Sequence, residues 1–308
     1  MFRFATLVPI AAIAFGAGCD NRDDMLDLAQ FEADNLEWRA ARLERLRGPE
    51  GYLNLAGLFW LDEGTLRIGS ATGNDIVFPA AAPPQVGELK VSSTGVTLQV
   101  SEGVTVFSNG QPVQTIFVAD DTSEAPVTIS HGAIAWTIIR RDDRFALRLR
   151  DFEHPAIAAF PPIEYFPINP DLRVRGKLRL FAEPKVLNVD TVIEGLGWNP
   201  ESPGVVEFEI DGQSLQLEAY DSGDKLFFVF GDRTSGRETY PAGRFLYSDR
   251  PAEGDETILD FNRAYNPPCA FNDFATCPVA SPQNRLSVRI EAGERFDPQV
   301  HATPDSIH

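Results

Sequence analysis

The sequence predicts an all-β chain of two β-sandwich or barrel-like lobes preceded by one N-terminal helix. Three observations carry this prediction. Residues 25–47 set Leu28, Phe31, Trp38 and Leu46 among charged side chains with neither glycine nor proline, the pattern of an amphipathic helix. From Tyr52 onward the apolar runs shorten and recur between turn residues, as in LRIGS before ATGND and AIAWTIIR before RDD. Residues 151–170 hold five prolines without a clean period, an ordered connector between the lobe of residues 50–150 and that of residues 171–297.

The first segment is for targeting. Residues 1–18 carry Arg3 as their only charge, an apolar run from Phe4 to Phe15, and Gly16, Ala17 and Gly18 before Cys19, which together read as an export signal. The run is shorter than the ~20 residues a spanning helix needs. Small residues directly before a cysteine resemble the lipobox of bacterial lipoproteins. The resemblance implies that Cys19 becomes an acylated N-terminus, with cleavage and secretion as the plainer alternative. The expected location is the cell envelope, on its periplasmic side, tied to the lipid bilayer through Cys19.

Residues 19–49 then form tether and helix. Gly48-Pro49 ends the helix, because proline excludes the residue before it from helical backbone angles. Arg42, Arg45 and Arg47 suit the helix dipole and are read as structure and not as a site. With 45 acidic against 27 basic residues the chain has a formal charge of −18, and nothing in it supplies the clustered cations that nucleic acid requires.

Within the first lobe, Ile68-Gly69-Ser70, Asn74-Asp75-Ile76-Val77-Phe78-Pro79 and Asn109-Gly110 resemble the skeleton of a forkhead-associated domain. That resemblance implies an eleven-stranded sandwich whose loops read phosphothreonine. The family has an arginine where this chain has Ser70, and a serine and a histidine where it has residues 82–87. A dianionic phosphate needs charge-assisted donors, so the sandwich is expected and phosphothreonine peptide binding is not.

In the second lobe VLNVDTVI, VVEFEI, SLQLEAY, KLFFVF, GRFLYS, TILDF and RLSVRI are strand candidates. Leu226–Phe230 is apolar on both parities and should be covered on both faces. Residues 298–308 read as a flexible polar tail. The densest chemistry lies between Gly231 and Arg285. There Asp232, Thr234, Thr239-Tyr240, Gly243-Arg244-Phe245-Leu246, Leu259-Asp260-Phe261-Asn262, Ala264 through Phe271, Cys277-Pro278, Asn284-Arg285-Leu286 and Ala292-Gly293-Glu294 resemble the family "domain of unknown function 1684". The resemblance reaches back to Trp60-Leu61 and implies a fold without an established reaction.

In a strand over Ile258–Asn262 the period of two puts Asp260 and Asn262 on one face. Tyr240, Arg244, Tyr265, Asn266, Asn284 and Arg285 are expected to converge there, with Asp232 and Thr234 beside them. Two outcomes stand open: a buried polar network in which Asp260 bonds Arg244 or Arg285, or a pocket for a small polar or glycan-like ligand or a periplasmic partner. A hydrolase using Asp260 and Asp232, with arginine stabilising charge, is the enzymatic alternative, and a purely structural envelope protein is a third. Cys269 and Cys277 in an exported chain are most simply a disulfide. A metal site would need two further ligands, so neither metal nor cofactor is expected. Nucleophile-elbow, phosphate-loop, zinc-helix and dinucleotide motifs are absent from the sequence.

Overall fold

A computed structural model describes residues 26–297; the expected signal segment 1–18, Cys19 and the tail 298–308 lie outside the described residues. The helix is α1 (Leu28–Arg47). Asp27 caps it, its Oδ1 accepting from the N–H groups of Ala29 at 3.1 Å and Gln30 at 3.2 Å, two of the donors a first turn leaves open. Gly48 leaves the helix in extended backbone, φ −67° and ψ 171°, as Pro49 requires. Phe31 and Leu46 are buried as expected, but Leu28 is 60% exposed and belongs to no core cluster.

Eleven strands follow: β1 (Leu55–Leu61), β2 (Gly64–Gly69), β3 (Ile76–Val77), β4 (Gly87–Ser92), β5 (Gly95–Val100), β6 (Val106–Ser108), β7 (Gln111–Val113), β8 (Thr115–Val118), β9 (Thr128–His131), β10 (Ile134–Arg141) and β11 (Arg144–Asp151). They form two sheets, β1-β11-β10-β9-β6-β7 and β3-β2-β4-β5-β8. This is the forkhead-associated-like sandwich. Its core is the shared apolar layer around Trp136, 1% exposed, with Phe78 edge-on at 5.2 Å.

The residues that carry the forkhead resemblance build its loops. Gly69 has φ +152° and lies so near the chain that a Cβ would sit 2.5 Å from the Pro84 carbonyl oxygen, a conformation and an approach open to glycine. Asn74 Nδ2 donates to the carbonyls of Ala71 and Pro84 at 2.9 and 2.7 Å. Ser70 Oγ donates to Ala82 O at 2.7 Å. Asn109 and Gly110, both at positive φ, make the two-residue turn between β6 and β7.

A short helix α2 (Pro155–Ala159) lies in the proline-rich connector. The second lobe contains β12 (Arg173–Val186), β13 (Val189–Asp190), β14 (Gly197–Trp198), β15 (Glu201–Ile210), β16 (Gln213–Ser222), β17 (Lys225–Phe230), β18 (Arg244–Asp249) and β19 (Glu256–Asp260). Six of them make one antiparallel sheet, β18-β17-β16-β15-β12-β19. It curls until its ends meet, where Thr257 Oγ1 donates to Asp249 O at 2.7 Å, so the lobe is close to a barrel. Phe208, Phe228, Phe230 and Phe261 fill the inside, with Phe230 and Phe261 edge-on at 5.3 Å.

Both faces of β17 are covered, as its double apolar parity predicts: Leu226, Phe228 and Phe230 face the barrel core and Val229 joins an outer cluster with Tyr220, Phe245 and Cys277. Three expected strands differ. Of VLNVDTVI, residues 186–193, only the end of β12 and the two-residue β13 are strand. The strand at residues 258–262 stops at Asp260, and Phe261–Arg263 form a 3-10 turn capped by the Asp260 side chain. Residues 285–290 are not a strand. Leu286, Val288 and Ile290 are buried alternately, as in a strand, but the backbone bonds scatter: Leu286 N donates to Gly231 O, Val288 O accepts from Arg233 N, and Ile290 bonds the side chains of Asp232 and Arg244.

Candidate functional site

The first cluster of candidate residues is a closed polar knot. Asp232 accepts at Oδ1 from Thr234 Oγ1 at 2.8 Å and at Oδ2 from the Ile290 N–H at 2.7 Å. A carboxylate only accepts, so Thr234 spends its proton there and Thr239 Oγ1, 2.9 Å away, donates to Thr234. Arg244, 1% exposed, reaches Asp232 at 3.4 Å and donates to the carbonyls of Ile290, at 2.9 Å, and Ala292. Its burial pulls the guanidinium below its ordinary range, against the favourable charge of Asp232.

Asn262 and Asn284 each act as a strand partner in miniature. Asn262 Oδ1 accepts from Asn169 N and its Nδ2 donates to Asn169 O, both at 2.8 Å. Asn284 does the same with Glu218, at 2.8 and 2.9 Å, and its Nδ2 also reaches Val229 O at 3.1 Å. Both are fully buried, and both hold backbone groups that would otherwise lack partners. Asp260 accepts from Asn262 N and Nδ2 at 3.1 and 2.9 Å and pairs with Arg263 at 3.5 Å. The expected bond from Asp260 to Arg244 or Arg285 is therefore replaced by local capping, because the strand ends at Asp260, two residues earlier than expected. The Arg285 side chain is exposed.

The expected disulfide is not formed. Cys269 and Cys277 are free thiols, with the Cys269 N–H donating to Cys277 Sγ at 3.2 Å. Burial pushes the Cys277 thiol well above the usual thiol range, and its hydrogen bond to Cys269 holds the latter below it. Tyr240 OH donates to Cys269 O at 3.1 Å. Among the described residues no cluster of three or more His, Cys, Asp and Glu side chains suits a metal.

A third group ties α1 to the second lobe. Arg42, read from the sequence as a dipole partner, donates through Nε to Glu294 Oε1 and through Nη2 to Asn266 O, each at 2.9 Å. Glu294 is fully buried and also accepts from the Asn266 N–H at 2.7 Å. Asn266 Nδ2 donates to Arg295 O at 2.8 Å. The Arg42 guanidinium lies 4.5 Å over the Tyr265 ring, whose hydroxyl burial pushes far above its ordinary range.

The candidate residues thus occupy several sites instead of one hollow. The open space is beside them, a cavity of about 600 Å³ between α1, residues 48–52 and the outer face of β17 and β18. Of the predicted ligand-binding residues only Tyr265 lines it. Its aromatic wall comprises Trp38, Tyr52, Phe227, Phe245, Tyr247 and Tyr265. Phe227 pairs with Tyr247 in register, their rings 4.8 Å apart and 30° from parallel. Phe245 stands edge-on to Phe227 at 4.9 Å and to Tyr265 at 5.8 Å. Arg42 and Arg45 also line the cavity. The spacing of Trp38, Arg42 and Arg45 marks one helical face, and that signal was present in the sequence.

Among solved structures, an uncharacterised protein of Haloarcula marismortui is 31% identical over 46% of this chain and 79% of that one, with a TM-score of 0.39. The FHA-2 domain of a Mycobacterium tuberculosis ABC transporter is 27% identical over 29% of this chain and 77% of that one, with a TM-score of 0.22. No curated protein matches. Residues 158–295, which contain the polar knot, both asparagine clamps, the thiol pair and Glu294, match the family described as "Protein of unknown function (DUF1684)".

Proposed function

We propose that this is an envelope-tethered binding protein whose ligand is a small molecule with a ring, a sugar or an aromatic group, held in the cavity between α1 and the second lobe. One observation carries the reading: about 600 Å³ of open space backed by six aromatic side chains, a size suited to a small ligand. Such rings offer a stiff apolar surface on which the flat face of a sugar or another ring can stack at little entropic cost. Tyr247 is 43% exposed, although its neighbours Phe227 and Phe245 are packed. Asp232 and Asp260, the carboxylates considered for hydrolysis, sit in separate hydrogen-bond networks, and neither lines this cavity. Acylation at Cys19, close before α1 in sequence, would hold the cavity near the bilayer.

A thermal-shift screen of the full chain with monosaccharides, phenolic compounds and short peptides tests the reading, since a ligand that binds the folded state raises its stability by mass action. Hits are expected with the wild type and their stabilisation should disappear in Tyr247→Ala. Silence across the screen, or hits equally strong in that variant, would reject the cavity as the site.

A further inference from the structure

The charges around the cavity narrow the ligand class, an inference that rests on the binding reading above. Three charged side chains line the space: Arg42, Arg45 and Glu50. Arg42 is paired, but the pair is oriented. Arg42 lines the cavity and its guanidinium lies 4.5 Å over the ring of Tyr265, another lining residue, whereas Glu294 is fully buried and does not line it. An ion pair placed that way turns its positive end toward the open space.

Arg45 stands one turn further along the same helical face. It is exposed and makes no hydrogen bond or ion pair among the described residues. The acceptors nearest to it in sequence are already in use. Glu44 O accepts from Gly48 N at 2.9 Å, and Gly48 O from Gly51 N at 2.9 Å and Asn54 Nδ2 at 3.2 Å. Pro49 O accepts from Asn54 Nδ2 at 2.9 Å and from Arg150, which also binds Gly51 O. Arg45 bonds none of the carbonyls of residues 48, 49 and 51. Glu50 is exposed.

We propose that the ligand is a carboxylic acid, a ring bearing one carboxylate, with the ring stacked on Phe227, Tyr247 and Trp38 and the carboxylate received by Arg45. A guanidinium matches a carboxylate through two parallel N–H donors, and the positive end of the Arg42 pair adds to the same field. A cationic ring compound would meet both guanidinium groups, with Glu50 alone to favour it.

The test is calorimetric titration of the full chain with matched probes: phenylacetate, 2-phenylethanol and 2-phenylethylamine, then glucuronate, glucose and glucosamine. The acid of at least one series is expected to bind about tenfold more tightly than its neutral partner, the worth of one charge-assisted hydrogen-bond pair. Arg45→Gln should bring the acid down to the neutral compound's affinity while leaving the neutral compound unchanged, and Arg45→Lys should restore part of the difference. Equal affinity for acid and alcohol, preference for the amine, or an Arg45→Gln loss shared by all probes would overturn the carboxylate assignment while leaving the cavity in place. Binding by none of the six, with no change in tryptophan fluorescence, would reject the cavity reading and this proposal together.

Discussion

Arg42 Nε and Glu294 Oε1 stand 2.9 Å apart with side chains 9% and 0% exposed, joining the first described helix to residues near the end of the described chain. Two charges removed from water are tolerated because each is also hydrogen-bonded elsewhere, Arg42 to Asn266 O and Glu294 to Asn266 N. Glu294→Gln leaves a buried cation without its counter-charge and should cost about 3–5 kcal/mol. Urea denaturation with an unchanged slope gives the value. Arg42→Met combined with Glu294→Met should lose less than Glu294→Gln alone. If it loses more, the pair is not what holds the helix.

The two aspartates picked out by the sequence should behave differently. Asp232→Asn puts an amide where Thr234 and Ile290 donate and Arg244 needs an anion, so a loss of about 2–4 kcal/mol is expected. Asp260 is a partly exposed turn cap, and Asp260→Asn should cost no more than about 1 kcal/mol. The same urea titrations compare them. Neither substitution should alter a ligand's stabilising effect, since neither residue lines the cavity; a ligand response lost in Asp260→Asn would return attention to the C-terminal network.

Much of this architecture follows from sequence pattern. The helix between Asp27 and Gly48 has local signals at both ends, and the double parity of Leu226–Phe230 identifies a strand covered on both faces. Glycines at fixed offsets gave the sandwich loops. The polar residues were identified, but not their grouping, because Asn262 and Asn284 pair with backbone of residues 169 and 218, and no local period encodes such distant partners. Arg42 looked like a dipole residue because its position near the helix end already satisfied a local rule; its tie to Glu294 spans 252 positions. The cavity was missed because its wall alternates with the core: Phe227 and Tyr247 share strands with buried residues, and only the packing of α1 leaves them room.

The thiols offer a chemical readout. The hydrogen bond from Cys277 favours the Cys269 thiolate, whereas burial disfavours that of Cys277. Iodoacetamide applied to the native protein near neutral pH should label Cys269 first, with Cys277 following only after unfolding. Peptide mass spectrometry distinguishes the two. Labelling of neither until a reductant is added would mean that the pair is oxidised.

Cys19 lies outside the described residues and its role is testable in cells. Cys19→Ser should release the protein from the membrane pellet into the soluble fraction and abolish incorporation of labelled palmitate. Unchanged membrane association would remove the tether from the proposal.

The tie between residue 42 and residue 294 also orders the assembly of the chain in time. A ribosome adding 5–20 residues each second brings out α1 roughly 10–50 s before Glu294 exists. Until then Leu46 and Arg42 have no permanent seat, and an isolated helix of this length is marginal in water. The sandwich can close while α1 waits beside it, so the wall of the cavity that belongs to α1 is set only when synthesis is nearly complete. A nascent chain cut short before residue 294 would carry a finished first lobe and no ligand site, which makes the cavity a report that the whole molecule has been made.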